Sequence, residues 1–449
     1  MNVTILGAGY VGLTTAALLA NCDGYVVTLV DTDQAKLAII NTGKSHFYEV
    51  GLDELISNAI SSQSLRTTAD YAQAIPGSDV VFSCVGTPDK PGGGTNIVYV
   101  QAAAQATMQY ATHDIIYAQK STVPVGTGEQ LEKIFSASVK HIAYVSNPEF
   151  LREGTAVYDT LIFDRVVVGS NDKTAASSVI NIYQDLEAQT AAIAKTASIT
   201  LPDPIVSGTY IKTSLNSAEL IKVSSNAFLA LKISFANSIA LLADQAGADV
   251  TEVMDAVGAD KRIGRAFLNA GRGYGGGCFP KDVRGLISYA ATKNIDMEIM
   301  RAATSVNQQM PAYVVTKLMA ALPVSVLKPR IALLGLAFKA NTSDTRKSPA
   351  IEIANLLVQR GATVIAYDPR AQNEETDQLD KHVTIATSLA ECIKDADSVC
   401  VATDWQDFLD MDLNAVITAM KGSIFVDTMN AFDKTKVKQA GLTHISVGR

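Results

Sequence analysis

A run of glycines, Gly273-Tyr274-Gly275-Gly276-Gly277, leads straight into Cys278, and Lys281 and Asp282 follow. Glycines let a backbone take positive φ and let a bulky ligand come close to the main chain. Pro280 has no amide hydrogen and suits the first turn of a helix. That places Cys278 at a helix N-terminus, where the dipole favours a thiolate. Lys281 adds positive charge beside it. Asp282 stands four residues after the cysteine and shares its helix face. A nucleophile with a carboxylate beside it points to covalent catalysis followed by base-assisted hydrolysis. The bland alternative is a buried, inert thiol in a glycine turn. The lysine, the aspartate and the glycines together weigh against it.

The start of the chain says which chemistry the thiol serves. Residues 3 to 6 read as a short buried strand, Gly7-Ala8-Gly9-Tyr10-Val11-Gly12 follows at once, and an apolar helical run comes next. This is G-x-G-x-x-G in the strand, turn and helix context that gives it meaning. The glycines allow the turn and the close approach of a pyrophosphate to the helix N-terminus. A second strand over 26 to 30 ends at Asp31, 19 residues beyond Gly12. A carboxylate there bonds a ribose 2′-hydroxyl and repels a 2′-phosphate, so the expected cofactor is NAD rather than NADP. Lys36 is placed to reach the adenosine side.

Those residues need a scaffold. Up to about residue 200, strands and helices alternate. Strands over 79 to 85, 115 to 120 and 142 to 146 end in Gly86-Thr87-Pro88, Ser121-Thr122-Val123-Pro124 and Asn147-Pro148-Glu149. Open α/β sheets bind ligands at the carboxyl ends of their strands, so Thr87, Thr122 and Glu149 are expected to line the cofactor crevice. Residues 217 to 247 form the longest helical pattern, long enough to join two domains and to offer a dimer surface. Lys222 and Asn226 share one of its faces. A lysine on so apolar a helix either snorkels to solvent or points into an active site. Residues 328 to 449 read as a second nucleotide-binding fold, with strands at 330, 363, 398 and 424 and a helix from Ser348 to Gly361, but without a full G-x-G-x-x-G.

Composition excludes several classes. The chain has 449 residues, 48% of them hydrophobic, and a net charge of −8. That is enough for two or three cored domains and unsuited to a nucleic-acid-binding surface. The apolar run around 227 to 243 is broken by Lys232 and Asn237, so no membrane span is expected. The chain opens in a strand, which gives no sign of a leader. Its five cysteines lie scattered at 22, 84, 278, 392 and 400, with neither a metal-ligand spacing nor a disulfide framework. No metal is expected, and a reducing cytoplasm is.

With GAGYVG at 7, STVPVGT at 121, NPEFLREG at 147, AELIKVSSNAFLALKISFAN at 218, GYGGGCFPKD at 273 and LAFKANTSDTRKSPA at 336, the chain resembles the UDP-glucose/GDP-mannose dehydrogenase family over its whole length, and most closely its branch acting on UDP-glucose. The resemblance implies an α/β protein of two Rossmann-like doubly wound domains joined by a long central helix and a small helical domain. Residues 1–200 would bind NAD, 201–315 would carry the cysteine loop and the dimer contact, and 316–449 would bind the UDP-sugar. It implies two successive oxidations of the sugar C6 through a cysteine thiohemiacetal and thioester. Cys278 matches the nucleophile and Lys222 the oxyanion-stabilising lysine, helped by Asn226. Thr122, Glu149 and Asp282 match residues that position water and move protons. By the same matching, Gly7, Gly9, Tyr10, Val11, Gly12, Asp31, Lys36, Thr87, Thr122, Glu153, Lys281 and Arg346 would contact NAD. Glu149, Phe150, Leu151, Lys222, Asn226, Tyr274, Gly275, Phe338 and Lys339 would contact the nucleotide sugar, with Arg262 reaching it across a homodimer interface.

One position departs from the pattern. Where many members acting on UDP-glucose carry Asp-Gly-Arg-Asn, with the arginine on the substrate, this chain has Asp427-Thr428-Met429-Asn430. Met429 makes no charge-assisted bond, so GDP-mannose or a UDP-N-acetylhexosamine stays open as the substrate. A single-step hydroxyacid dehydrogenase also places a lysine and an asparagine on a central helix, but it needs no cysteine. A non-catalytic nucleotide-sugar sensor would not need the full polar set.

Overall fold

The computed structural model describes residues 1–371 and 378–449. They divide into two units, 1–225 with 284–293, and 226–283 with 294–449. The chain crosses between them inside two helices, Leu215–Ala246 and Phe279–Thr292. The segment expected as a central domain is thus shared out between the two units.

The first unit is built on β1 (Asn2–Leu6), β2 (Val26–Val30), β3 (Leu65–Thr68), β4 (Val80–Ser83), β5 (Ile115–Gln119), β6 (Ile142–Ser146), β7 (Arg165–Gly169) and β8 (Thr209–Thr213). Their order across the sheet is β3-β2-β1-β4-β5-β6-β7-β8. Pairing is parallel except between β6 and β7. The strands alternate their burial. Val3, Ile5, Val27, Leu29, Val80 and Phe82 join one core, and Leu6, Val30, Val81 and Tyr117 the other. A sheet covered on both faces reads as an unbroken apolar run, and this is why its central strands are legible in the sequence. β3 and β8, with the sequences LRTT and TYIKT, lie at the edges and lack that run.

The second unit repeats the plan with β9 (Arg330–Leu334), β10 (Thr363–Tyr367), β11 (Thr384–Ile385), β12 (Ser398–Val401), β13 (Ile424–Asp427) and β14 (Thr443–Ser446). The order is β11-β10-β9-β12-β13-β14, all parallel. The expected helix after β9 spans Pro349–Gln359. Ser348 caps it by accepting the Ala350 N–H at 3.2 Å, and Gly361 ends it at φ +85°.

The longest helix, Leu215–Ala246, has 32 residues, about 48 Å. It begins two residues earlier than its apolar pattern suggests and stops before Gly247 at φ +68°. By length and composition alone it is apolar enough to cross a membrane. Its buried residues nevertheless include Lys222, Asn226 and Asn237 alongside Ala230, Ala236 and Ala240.

Candidate active site

The first unit assembles a dinucleotide crevice where its strand order reverses, between β1 and β4. Gly7 leaves β1 at φ +98°, and a Cβ there would lie 2.8 Å from the Cys84 carbonyl oxygen. A Cβ on Gly12 would lie 1.8 Å from the Gly7 oxygen. Both positions therefore require glycine. Gly9 differs. It caps the helix Tyr10–Ala20 with no side-chain bond, and a Cβ there would meet nothing within 4 Å. That open helix N-terminus is the cradle a pyrophosphate needs. Asp31 stands at the end of β2 and accepts the Ala8 N–H at 2.7 Å and the Asp33 N–H at 2.9 Å. These residues fit NAD. Tyr10 stacks on Phe47 with centroids 3.8 Å apart, and Val11 is half-buried behind it. Lys36 sits on the next helix, 3.9 Å from Asp33.

Thr87 and Thr122, both half-buried, follow β4 and β5. The Thr122 loop is anchored by a residue the sequence reading passed over. Glu219 accepts the Gly126 N–H at 2.6 Å and the Gly128 N–H at 2.7 Å. Burial pushes its carboxyl up to about 7, against the pull of those two amides. An acid in the apolar run Ala218-Glu219-Leu220-Ile221 carried the same signal as Lys222. Glu49 had no such signal. It accepts the Gly154 and Ala156 N–H groups at 2.6 and 2.7 Å and so holds the turn after Glu153 from far along the chain.

Lys222 does not reach solvent. Its Nζ lies 3.1 Å from Glu149 Oε1 and 5.3 Å from the centroid of the Phe150 ring, with both charged groups buried. Glu149 Oε2 accepts the Leu151 N–H at 2.8 Å. The Phe150 ring also carries the Arg165 guanidinium at 4.0 Å. The first unit thus brings together Glu149, Phe150, Leu151 and Lys222.

The second unit brings together the cysteine and its carboxylate. Cys278 is exposed and immediately precedes the helix Phe279–Thr292. The Asp282 N–H donates to the Cys278 carbonyl at 2.8 Å, which closes the first turn. The Asp282 side chain is buried, accepts from Asn226 Nδ2 at 2.6 Å and lies 2.7 Å from Lys281 Nζ. Lys222 and Asn226, one turn apart on the same helix, therefore each hold a carboxylate, Glu149 for the first and Asp282 for the second.

The glycine loop is packed on the segment after β9. Cβ atoms on Gly275, Gly276 and Gly277 would lie 2.2 Å from the Lys347 oxygen, 2.9 Å from the Phe338 ring and 2.8 Å from the Arg346 guanidinium. Gly276 and Phe338, and Gly277 and Arg346, are neighbours for that reason. Arg346 is also paired with Asp344 at 2.7 Å, and Lys339 lies over the Phe338 ring. Tyr274 is fastened through Asn307, which accepts its N–H at 2.7 Å. Arg262 is exposed and bonded to Asp260 at 2.6 Å. Among the described residues no cluster of three metal-ligating side chains occurs.

Three family models match this chain in order. The NAD binding domain of the UDP-glucose/GDP-mannose dehydrogenase family covers residues 1–187, the central domain 216–309 and the UDP binding domain 332–434. The chain belongs to the UDP-glucose/GDP-mannose dehydrogenase family. It is an NAD-dependent oxidoreductase. The dinucleotide crevice with Glu149 falls in the family's NAD binding domain, and Lys222, Asn226 and the cysteine loop fall in its central domain. Phe338, Lys339, Arg346 and Met429 fall in its UDP binding domain. The chain is 38% identical over 451 residues to the UDP-glucose 6-dehydrogenase TuaD of Bacillus subtilis, covering all of this chain and 93% of the relative. It is 36% identical over 454 residues to the UDP-glucose 6-dehydrogenase of Rhizobium meliloti, with both chains covered in full. Among solved structures, a UDP-glucose dehydrogenase from Pyrobaculum islandicum superposes with a TM-score of 0.86 at 34% identity, over all of this chain and 97% of that one.

Proposed function

We propose that this member oxidises C6 of UDP-glucose twice, yielding UDP-glucuronate. The observation that carries the reading is Cys278, exposed at the start of its helix, with the buried Asp282 carboxylate one turn on and Asn226 bonded to it. A single alcohol oxidation needs no thiol. The two curated relatives named above are UDP-glucose 6-dehydrogenases.

Bound NAD supplies the acceptor for each of the two hydrides that leave C6, one per oxidation. In the first oxidation the C6 hydroxyl gives up its proton as the aldehyde forms. The Cys278 thiolate then adds to the aldehyde carbon. The Lys222 ammonium and the Asn226 amide donate to the oxygen that becomes negative. Loss of the second hydride converts this thiohemiacetal to a thioester. Water adds to the thioester carbon, its proton passes to a carboxylate, and the sulfur leaves as thiolate. Glu149, paired with Lys222, and Asp282, one turn after Cys278 and bonded to Asn226, are the two buried carboxylates assigned to proton work. By the family resemblance Thr122 belongs with Glu149 and Asp282 among the residues that position water and move protons.

A second reading rests on Met429, which removes a cation from the last domain and favours a different nucleotide sugar. Counting NADH per substrate separates the two. Two NADH from UDP-glucose alone support the first reading. Two from GDP-mannose or a UDP-N-acetylhexosamine support the second. One NADH, or none, removes Cys278 from the mechanism.

We further infer a homodimer through the long helix. Leu220, Phe228, Phe235 and Leu242 are exposed on it at nearly heptad spacing, which suits a second copy of the same helix. Arg262 is exposed and, among the described residues, bonded to Asp260, and we assign it to such a partner. Five thiols suit a cytoplasmic enzyme.

A further inference from the structure

The second sheet has its own reversal of strand order, between β9 and β12. Loops leaving the carboxyl ends of those strands diverge there, and that is where an open parallel sheet takes a nucleotide. One side chain from outside the sheet fills the divergence. Arg272, from the glycine loop, donates from Nη2 to the Phe338 carbonyl at 2.9 Å, the Ala337 carbonyl at 3.4 Å and Thr403 Oγ1 at 3.3 Å. Its backbone N–H donates to the Thr428 carbonyl, just after β13, at 3.0 Å. Arg272 therefore touches the loops after three neighbouring strands of that sheet.

Its side chain is 0% exposed, and Nε and Nη1 have no acceptor. Among the described residues no carboxylate lies within salt-bridge distance of it. Burial lowers its pKa to about 10, with Asp404 the first of the charges that oppose this, so the guanidinium stays protonated at neutral pH. A buried, charged group with donors unmade is rare and costly, and it marks a place where a partner is missing. Three neutral acceptors on one nitrogen do not neutralise a cation. A phosphate oxygen does both, since it accepts a hydrogen bond and carries the opposite charge.

We propose that Arg272 is the specificity residue for the diphosphate of the nucleotide sugar, supplying the positive charge that holds it at the carboxyl edge of the second sheet. The inference rests on the nucleotide-sugar reading above. It also accounts for Met429. Position 429 is the adjoining loop, its Cα 3.6 Å from where a Gly271 Cβ would lie, so a cation from 272 serves the place a cation from 429 would serve.

The test uses the full-length protein and calorimetric titration with UDP and with uridine, which differ only by the diphosphate. Wild type is expected to bind UDP with an affinity that falls as salt rises. Arg272→Met is expected to weaken UDP by about 30-fold, the ordinary worth of a charge-assisted bond, with uridine changed less than about twofold. Adding Met429→Arg to it is expected to restore most of the UDP affinity. Equal weakening of UDP and uridine, or unchanged UDP binding, would overturn the inference while leaving the nucleotide-sugar reading intact. Failure of wild type to bind UDP at all would overturn that reading and the inference with it. Should Arg272→Met not fold, Arg272→Lys keeps the charge and decides the matter. UDP binding that retains its salt dependence supports the inference, and loss of that dependence overturns it.

Discussion

In the proposed mechanism the thiol and its carboxylate define the reaction at the scale of single residues. Cys278→Ser keeps the size and the helix start but replaces a good nucleophile and leaving group with a poor one. Formation of the uronate is expected to fall about 1,000-fold, roughly 4 kcal/mol of barrier, while aldehyde formation persists. A quenched-flow assay for both products checks this, and uronate at the native rate would remove the covalent step. Glu219 makes a different prediction. Burial raises its folded pKa to about 7, above the ordinary glutamate value. The folded state therefore binds its proton more tightly than the unfolded state does. The stability this contributes is complete below about pH 4.5 and is lost as pH rises through about 7. Relative to Glu219→Gln, the wild type should lose stability over that window. Chemical denaturation of both proteins from pH 4.5 to 8 measures the difference, and parallel curves would mean that the two amide donors keep Glu219 charged throughout.

The chemistry depends on backbone geometry at the scale of elements. The first βα turn works because Gly7 and Gly12 let the chain fold back on itself, whereas Gly9 is left open toward the ligand. Gly12→Ala would drive a methyl group to 1.8 Å from the Gly7 oxygen. It should cost on the order of 3 kcal/mol and abolish NAD binding, as read by melting with and without cofactor. Gly9→Ala has room for its methyl group in the protein and should fold normally. A loss of NAD affinity in that variant, without a loss of stability, identifies the space above Gly9 as the pyrophosphate's. The cysteine loop obeys the same logic, since Gly275 to Gly277 are small because Lys347, Phe338 and Arg346 press on them.

The long helix carries the prediction at the scale of the whole molecule. Phe228 and Phe235 expose 60% and 47% of their surface, a large apolar exposure for residues on a well-formed helix. If the proposed dimer forms through this helix, Phe228→Glu with Phe235→Glu should give a monomer by light scattering, with the melting temperature of each unit little changed. A dimer that survives both charges would place the contact elsewhere.

Much of this was legible in the sequence because it rests on local rules. The central strands of both sheets are buried on two faces and so read as apolar runs, and caps such as Ser348 and Gly361 mark helix ends by their own chemistry. The G-x-G-x-x-G turn, Asp31 and the Cys278–Asp282 spacing lie within single elements or adjacent ones. The tertiary structure decided what depends on contacts between distant segments. It resolved whether Lys222 snorkels or pairs by bringing up Glu149, and it made Glu219 and Glu49 into loop anchors. It also turned Arg272, an unremarked residue in a glycine loop, into a buried cation at the edge of the second sheet. Side-chain charge is visible in a sequence, but the dielectric around it and the partners it meets exist only once the chain has folded.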